Sequence, residues 1–212
     1  MIHGRSDRCP WPGIDDPLYA AYHDHEWGVP ALDDQRLFEM LILESQQAGL
    51  SWLTILKRRD RYREALRGFD PHHTAALKPS EIMSLAHQYG LLRHAGKLAS
   101  LSANAKAFLK IADRHGSFGN FLWSRFDFTP RTRTWSRLAD VPVQSEESST
   151  LTVVLRKEGF EFVGPVMLHA YLQAIGVYND HLVSCFRYRS LSSGSSQSLT
   201  FRKKLSSSHS GT

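Results

Sequence analysis

The run from Tyr22 to Trp52, YHDHEWGVPALDDQRLFEMLILESQQAGLSW, constrains the fold most. It predicts a helix that starts at Asp33 or Asp34, either of which can cap it, and stops at Gly49. Leu37, Leu41, Glu44 and Ala48 recur at spacings of four, three and four, so they share one face. Glu44 is thus in line with apolar residues. Glu39 falls on the other side with Gln35, Arg36 and Gln46, a polar face that Ile42 and Leu43 blur. Two readings of Glu44 follow. It is a boundary residue paired with an arginine, or a carboxylate held against a closed pocket for function.

The remaining chain also reads as helices. They are expected at Leu18–Asp24, at Trp52–Arg67 behind a Ser51 cap, and at Pro79–His87 and Ala95–Ala112. Phe118–Phe126, Glu146–Glu158 before Gly159, and a segment opened by Pro165 and closed by Gly176 follow. The run NDHLVSC opens a last short helix, FDP at 69–71 is a turn, and 127–145 is a long loop. No strand pair, βαβ alternation or internal repeat is visible, so the fold class is all-α. Residues 1–8 read as a flexible tail and 9–189 as one helical domain. From Ser190 to Thr212 ten of the twenty-three residues are serine, with Arg202, Lys203 and Lys204 among them, which predicts a disordered basic tail.

The formal net charge of +5 suits a polyanionic partner. The helix predicted from Trp52 carries Lys57, Arg58, Arg59, Arg61, Arg63 and Arg67, a solvated face or a nucleic-acid patch. The opening MIHGRSDRCPWPG has no apolar core of a signal peptide, and no apolar run is long enough for a membrane span. A cytoplasmic protein is expected.

Cys9 and Cys185 are the two cysteines, near opposite ends of the chain. A disulfide, two buried thiols or a metal site would account for them. If DHLVSC is helical, His181 and Cys185 share a face. With Cys9 and His23 they make a set of the kind that binds zinc tetrahedrally, at a spacing too long for a zinc finger. QYGLLRHAGK, a Gly-bounded turn between two predicted helices, resembles a helix–hairpin–helix. Such a turn offers backbone N–H groups to a DNA phosphate, with Arg93, His94 and Lys97 beside it.

Taken together, the pieces DPLYAAYHDHEWGVP, LFEMLILESQQAGLSWLTILKRR, FDP, GLLRHAGK, GFEFVGP and QAIGVYNDHLVSC resemble the type I DNA-3-methyladenine glycosylase family, in colinear order over most of 9–186. The resemblance implies a helix–hairpin–helix glycosylase fold whose N- and C-terminal segments are tied by a structural zinc on Cys9, His23, His181 and Cys185. It implies a monofunctional enzyme that hydrolyses the N-glycosidic bond of 3-methyladenine in alkylated double-stranded DNA. Glu44 would contact the flipped base, with Trp11, Tyr19, Tyr22 and Trp52 forming or supporting its pocket. Trp27 is a weaker candidate for the pocket, and core packing is the preferred reading of it. Arg93 and Lys97 would bind DNA, and a monomer without an obligate protein partner is expected. Ser45, His25 and His169 depart from the family pattern, and His169 would alter which base fits if it lined the pocket. A binding module on the same fold, recognising damage without excising it, is the alternative.

Overall fold

The computed structural model describes residues 7–47 and 49–192. Asp16 opens α1 (Pro17–His25), its carboxylate accepting from the Leu18 N–H. Asp33 caps α2 (Asp34–Gln47) by accepting from the Arg36 N–H. Asp34 reaches a distant segment instead. Its two oxygens accept from the Phe118 and Gly119 N–H groups, each at 2.8 Å. Gly49 takes a φ of +82°, the left-handed conformation expected where the helix stops.

The helix expected over Trp52–Arg67 is two helices, α3 (Trp52–Leu56) and α4 (Arg59–Ala65). No glycine or proline marks the break. Arg58 closes α3 by donating from Nη1 to the Thr54 carbonyl at 3.1 Å. The FDP turn leads into α5 (Pro71–Ala76), which Asp70 caps. α6 (Pro79–Tyr89) and α7 (Ala95–His115) flank the hairpin, and each runs slightly beyond its expected end. α8 (Phe118–Trp123) continues as a 3-10 turn to Phe126. α9 (Glu146–Glu158) and α10 (Pro165–Ala174) lie where expected.

The segment 127–145, expected as loop, holds β1 (Arg131–Thr132). It pairs in parallel with β2 (Tyr178–Asn179), in register Arg131↔Tyr178. A further bridge joins Trp135 to Leu182. That pairing also overturns the expectation that DHLVSC is helical. Residues 178–182 are held extended, and α11 (Phe186–Ser192) begins only after Cys185. α11 extends past the expected boundary at Ser190; the rest of the expected serine-rich tail, and residues 1–6, lie outside the described residues.

The described residues form two compact units, one of 7–31, 122–142 and 172–192 and the other of 32–121 and 143–171. In the first, Ala31 and Val29 run alongside residues 173–176. Gly176, at φ +74°, leaves no space for a side chain: a Cβ would lie 2.4 Å from the Pro30 nitrogen. In the second, α7 packs with α2, α5, α6 and α9. Phe108 stacks on Phe118 at 4.2 Å and meets Phe38 at 5.1 Å. From Leu37 to Gln46 every residue of α2 is buried, so of the expected polar face only Gln35 is exposed and Arg36 half-buried. Glu39 and Gln46 are both buried, each bonded to side chains or backbone from other helices. No helix among the described residues is long and apolar enough to cross a membrane.

Candidate active site and metal cluster

In the first unit, Cys9, His23, His181 and Cys185 converge. All four are buried, and their ligand atoms lie within 4.8 Å of one another. Such a group could hold a metal ion. α1 supplies His23; the turn after β2, rather than a helix face, supplies His181 and Cys185. Cys9 Sγ is 3.6 Å from His181 Nδ1. Cys185 Sγ is 3.5 Å from His181 Nδ1 and 3.6 Å from His23 Nε2.

The outward nitrogen of each imidazole is also held. His23 Nδ1 meets Asp24 Oδ1 at 2.8 Å, and His181 Nε2 meets the Trp27 carbonyl at 3.2 Å. Arg8 grips the Asp24 carboxylate with Nε and Nη2. This hydrogen bond, against a smaller effect of burial, brings the Asp24 carboxyl down to about 2. The hydrogen bond from Cys9 pushes the Cys185 thiol well down, and Cys9 correspondingly up.

The expected base-pocket aromatics of this unit lie beside the cluster. Trp11 stands edge-on to His23 at 4.8 Å and to Trp27 at 4.7 Å, and tilts over Tyr19 at 5.3 Å. Tyr22, next to His23 on α1, is buried. Trp27 also packs edge-on to His181 at 4.6 Å.

In the second unit α2 carries two buried acids five residues apart. Glu39 meets three arginines: Arg59 Nε at 2.8 Å, Arg63 Nη2 at 2.7 Å and Arg36 Nη1 at 2.9 Å. Burial opposes its charge, but the hydrogen bond and charge of Arg59, then Arg36, outweigh it. They hold the carboxyl down to about 2. Glu44 is only 5% exposed. Among the described residues no hydrogen bond or ion pair reaches its carboxylate, and desolvation pushes it up to about 8.

Glu44 faces a cavity of about 680 Å³ within this unit. Phe162, Gly164, Val166 and Ala170 line its far wall, and Leu50 lies at the α2 end. Arg156 lines it too, yet directs Nε and Nη2 to the Val163 carbonyl, at 3.0 and 2.8 Å. Glu44 is therefore not the arginine-paired boundary residue of the first reading. Trp52, at the start of α3, is buried and absent from the described lining residues. His169 is buried and also absent from that lining.

The hairpin lies between α6 and α7. Gly90 ends α6 in the left-handed conformation, and His94 caps α7 by accepting from the Lys97 N–H at 3.2 Å. Arg93 is exposed. Lys97, expected beside it at the DNA, is turned inward instead. Its ammonium donates to the Gln46 carbonyl at 2.9 Å while Gln46 Nε2 donates to the Lys97 carbonyl at 3.0 Å. Burial lowers the Lys97 pKa. The reciprocal pair ties the C-terminal turn of α2 to the first turn of α7, which is why a cation fits inside.

The comparisons with known proteins bear on the whole of this arrangement. The methyladenine glycosylase family model matches residues 11–188. The chain belongs to this family. The DNA-3-methyladenine glycosylase 1 of Escherichia coli is 42% identical over 182 residues, 86% of this chain and 97% of its own length. The DNA-3-methyladenine glycosylase of Haemophilus influenzae is 42% identical over 178 residues, 84% and 96% of the two chains.

Among solved structures of the family, a crystal structure of 3-methyladenine DNA glycosylase I superposes with a TM-score of 0.81. It has 43% identity and covers 85% of this chain and 98% of its own. The Staphylococcus aureus enzyme, described in terms of 3-methyladenine recognition, gives 0.82 at 38% identity, covering 86% and 97%.

The lining residues Phe162, Gly164, Val166 and Ala170 have no role assigned from sequence. Their signal is the GFEFVGP segment, two phenylalanines between two glycines. What makes it a wall, a φ of +53° at Phe162, is not written in residue types.

Proposed function

We propose that this chain is a DNA repair glycosylase. It hydrolyses the N-glycosidic bond of 3-methyladenine in alkylated double-stranded DNA and leaves an abasic site on an intact strand. The observation that carries the reading is Glu44: a buried carboxylate, without a protein partner among the described residues, on a cavity of about 680 Å³. It occurs in a family whose relatives bear that enzyme's name.

N3-methylation makes adenine cationic and weakens its bond to C1′. Desolvation keeps the Glu44 carboxyl largely protonated at neutral pH. A flipped cationic base would favour the ionised form, and the carboxylate would accept from its exocyclic amine. Normal adenine brings no charge and gains less. Trp52 would form or support the aromatic surround, since π faces attract cations. When the N9–C1′ bond breaks, its electron pair leaves with the base, which becomes neutral. Water supplies the oxygen that bonds to C1′ and releases one proton to solvent, which carries the positive charge the base has lost. Because the leaving base is neutral, binding and positioning would supply most of the rate. No lysine is assigned a Schiff-base role.

Cys9, His23, His181 and Cys185 would hold one structural zinc. A tetrahedral centre with Zn–S of about 2.3 Å and Zn–N of about 2.0–2.1 Å has sulfur–nitrogen edges of about 3.6 Å. The three short sulfur–nitrogen separations here are 3.6, 3.5 and 3.6 Å. Four protein ligands leave no open position, so the ion would tie the N-terminal loop to the segment before α11. Exposed Arg93 and the N-terminus of α7 would hold a DNA phosphate, with Lys97 in a supporting role. A cytoplasmic enzyme is in keeping with bacterial relatives that act on DNA.

Incubation with methylated duplex DNA, followed by chromatography of released bases, tests the reading. Release of 3-methyladenine is expected. Tight binding to the methylated duplex with nothing released would replace the enzyme by a damage-binding module.

A further inference from the structure

Gln46, in the last turn of α2, is tied to the hairpin on both of its sides. On one side is Lys97. Its ammonium donates to the Gln46 carbonyl at 2.9 Å, and its own carbonyl accepts from Gln46 Nε2 at 3.0 Å and from Ser100 Oγ at 2.7 Å. The Lys97 N–H goes to His94 Nδ1 at 3.2 Å. On the other side is Tyr62 of α4. Its hydroxyl donates to Gln46 Oε1 at 3.4 Å and accepts from the Leu92 N–H at 3.4 Å. Gln46 and Tyr62 are fully buried, and Lys97 nearly so.

The hairpin is therefore held from inside at Leu92 and at Lys97, while Arg93, His94 and Ala95 between them are exposed. Those exposed residues are the ones that would meet a phosphate. The other end of the network lies two residues past Glu44 on the same helix. A buried ammonium is an expensive way to join two helices. Its desolvation costs several kcal/mol, and a methionine of similar length would fill the space without that cost. What the polar pair adds over apolar packing is a single register, because its hydrogen bonds fit one placement of α2 against α7.

From this we infer that Gln46 and Lys97 are positioning residues for base excision. They keep Glu44 in register with the hairpin, so that a phosphate gripped by Arg93 and the α7 N-terminus fixes where the flipped base meets the carboxylate. The inference rests on the glycosylase reading and extends it to residues that touch neither base nor phosphate. Misplacing a reacting group by about 1 Å costs up to about 10²-fold in rate. A network that joins the two grips directly guards against that loss.

The test compares wild type with Lys97→Met, Gln46→Met and Tyr62→Phe, the last removing a single hydroxyl. Three quantities are measured: single-turnover release of 3-methyladenine from saturated methylated duplex, duplex affinity as a function of salt, and affinity for free 3-methyladenine by tryptophan fluorescence. Lys97→Met and Gln46→Met should each slow saturated release by roughly ten- to a hundredfold, and Tyr62→Phe by less. Duplex affinity, its salt slope and free-base affinity should stay near wild type, since each grip survives and only their registration is lost. Combining Lys97→Met with Gln46→Met should slow release little more than either alone, because both break one link. A salt slope reduced by about one in Lys97→Met would make Lys97 a phosphate contact and overturn the role. So would release at the wild-type rate in all three variants, or a loss of free-base affinity in step with release, which would make the network a structural support. If the two methionine variants do not fold, Tyr62→Phe decides: slower release at unchanged free-base affinity supports the role, and an unchanged rate overturns it. Wild type that released no base would overturn the glycosylase reading itself, and this role with it.

Discussion

Around Cys9, His23, His181 and Cys185, polar groups are held in chains: Arg8 to Asp24 to His23, and the Trp27 carbonyl to His181. Around Glu44 there is a cavity, and the Arg156 guanidinium on its lining is committed to a backbone carbonyl. Both regions bury ionisable groups, which costs several kcal/mol when nothing compensates. In the first the compensation is internal. In the second no group among the described residues supplies it. Glu39 shows that the difference is not set by burial alone. It shares α2 with Glu44 and is nearly as buried, yet three arginines hold it ionised.

The largest expected effect tests the closed region. Cys185→Ser should remove one metal per chain by elemental analysis. It should also cause the largest drop in melting temperature of any single substitution in this series, since structural zinc in small domains is worth about 10–16 kcal/mol. Full stability without metal would show that the cluster closes itself.

Next comes Glu39→Gln, which leaves three arginines facing an amide. A loss of about 3–5 kcal/mol in urea denaturation is expected. The Glu39 carboxyl lies below its ordinary value of 4.5, at about 2. Its stabilisation is therefore complete above 4.5 and fades as pH falls toward 2, so wild type and variant should converge in acid.

Glu44→Gln should behave in the opposite way. Its folded pKa, about 8, lies above the ordinary 4.5, so the folded chain keeps a proton that the unfolded chain loses between these values. Stability of the wild type then falls as pH rises from 4.5 to 8. The variant should be more stable by a few kcal/mol, on the order of the pKa difference, at pH 8 and equal near pH 4. Excision of 3-methyladenine should nevertheless drop by about a hundredfold, the usual scale for a lost charge-assisted contact. A variant that folds and excises at the wild-type rate would remove Glu44 from the mechanism.

Smaller still is Trp52→Phe, which keeps an aromatic ring but shrinks it. Excision should slow by roughly fivefold, the low end of base–aromatic stacking, with the melting temperature nearly held. Arg93→Gln should have the least effect. It should reduce the slope of log affinity against log salt by about one, because one phosphate contact is lost. An unchanged slope would take Arg93 off the DNA.

Much of this is legible in residue order. Capping acids, helix-opening prolines and stop glycines locate α1, α2, α6, α9 and α10, because those signals act within one turn of the chain. The pairing of both cysteines with His23 and His181 is legible because ligand chemistry admits few partners. The apolar line through Leu37 and Leu41 marks Glu44 as an acid out of place.

The tertiary structure decided the rest. Helical periodicity puts Glu39 and Gln46 at the surface, but α4 and α7 bring arginines and Lys97 to meet them. A partner twenty or fifty residues away leaves no mark on local pattern. The same holds for residues 178–185, whose apolar and polar order reads as helix. Pairing with 131–135 keeps them extended and swings His181 and Cys185 together through a turn. Sequence alone determined where most helices begin and end and which cysteines and histidines could form one set, since those depend on side-chain type and near neighbours. Which buried charge is neutralised and which is left facing a cavity depends on groups from distant segments, and only the folded chain brings those within bonding distance.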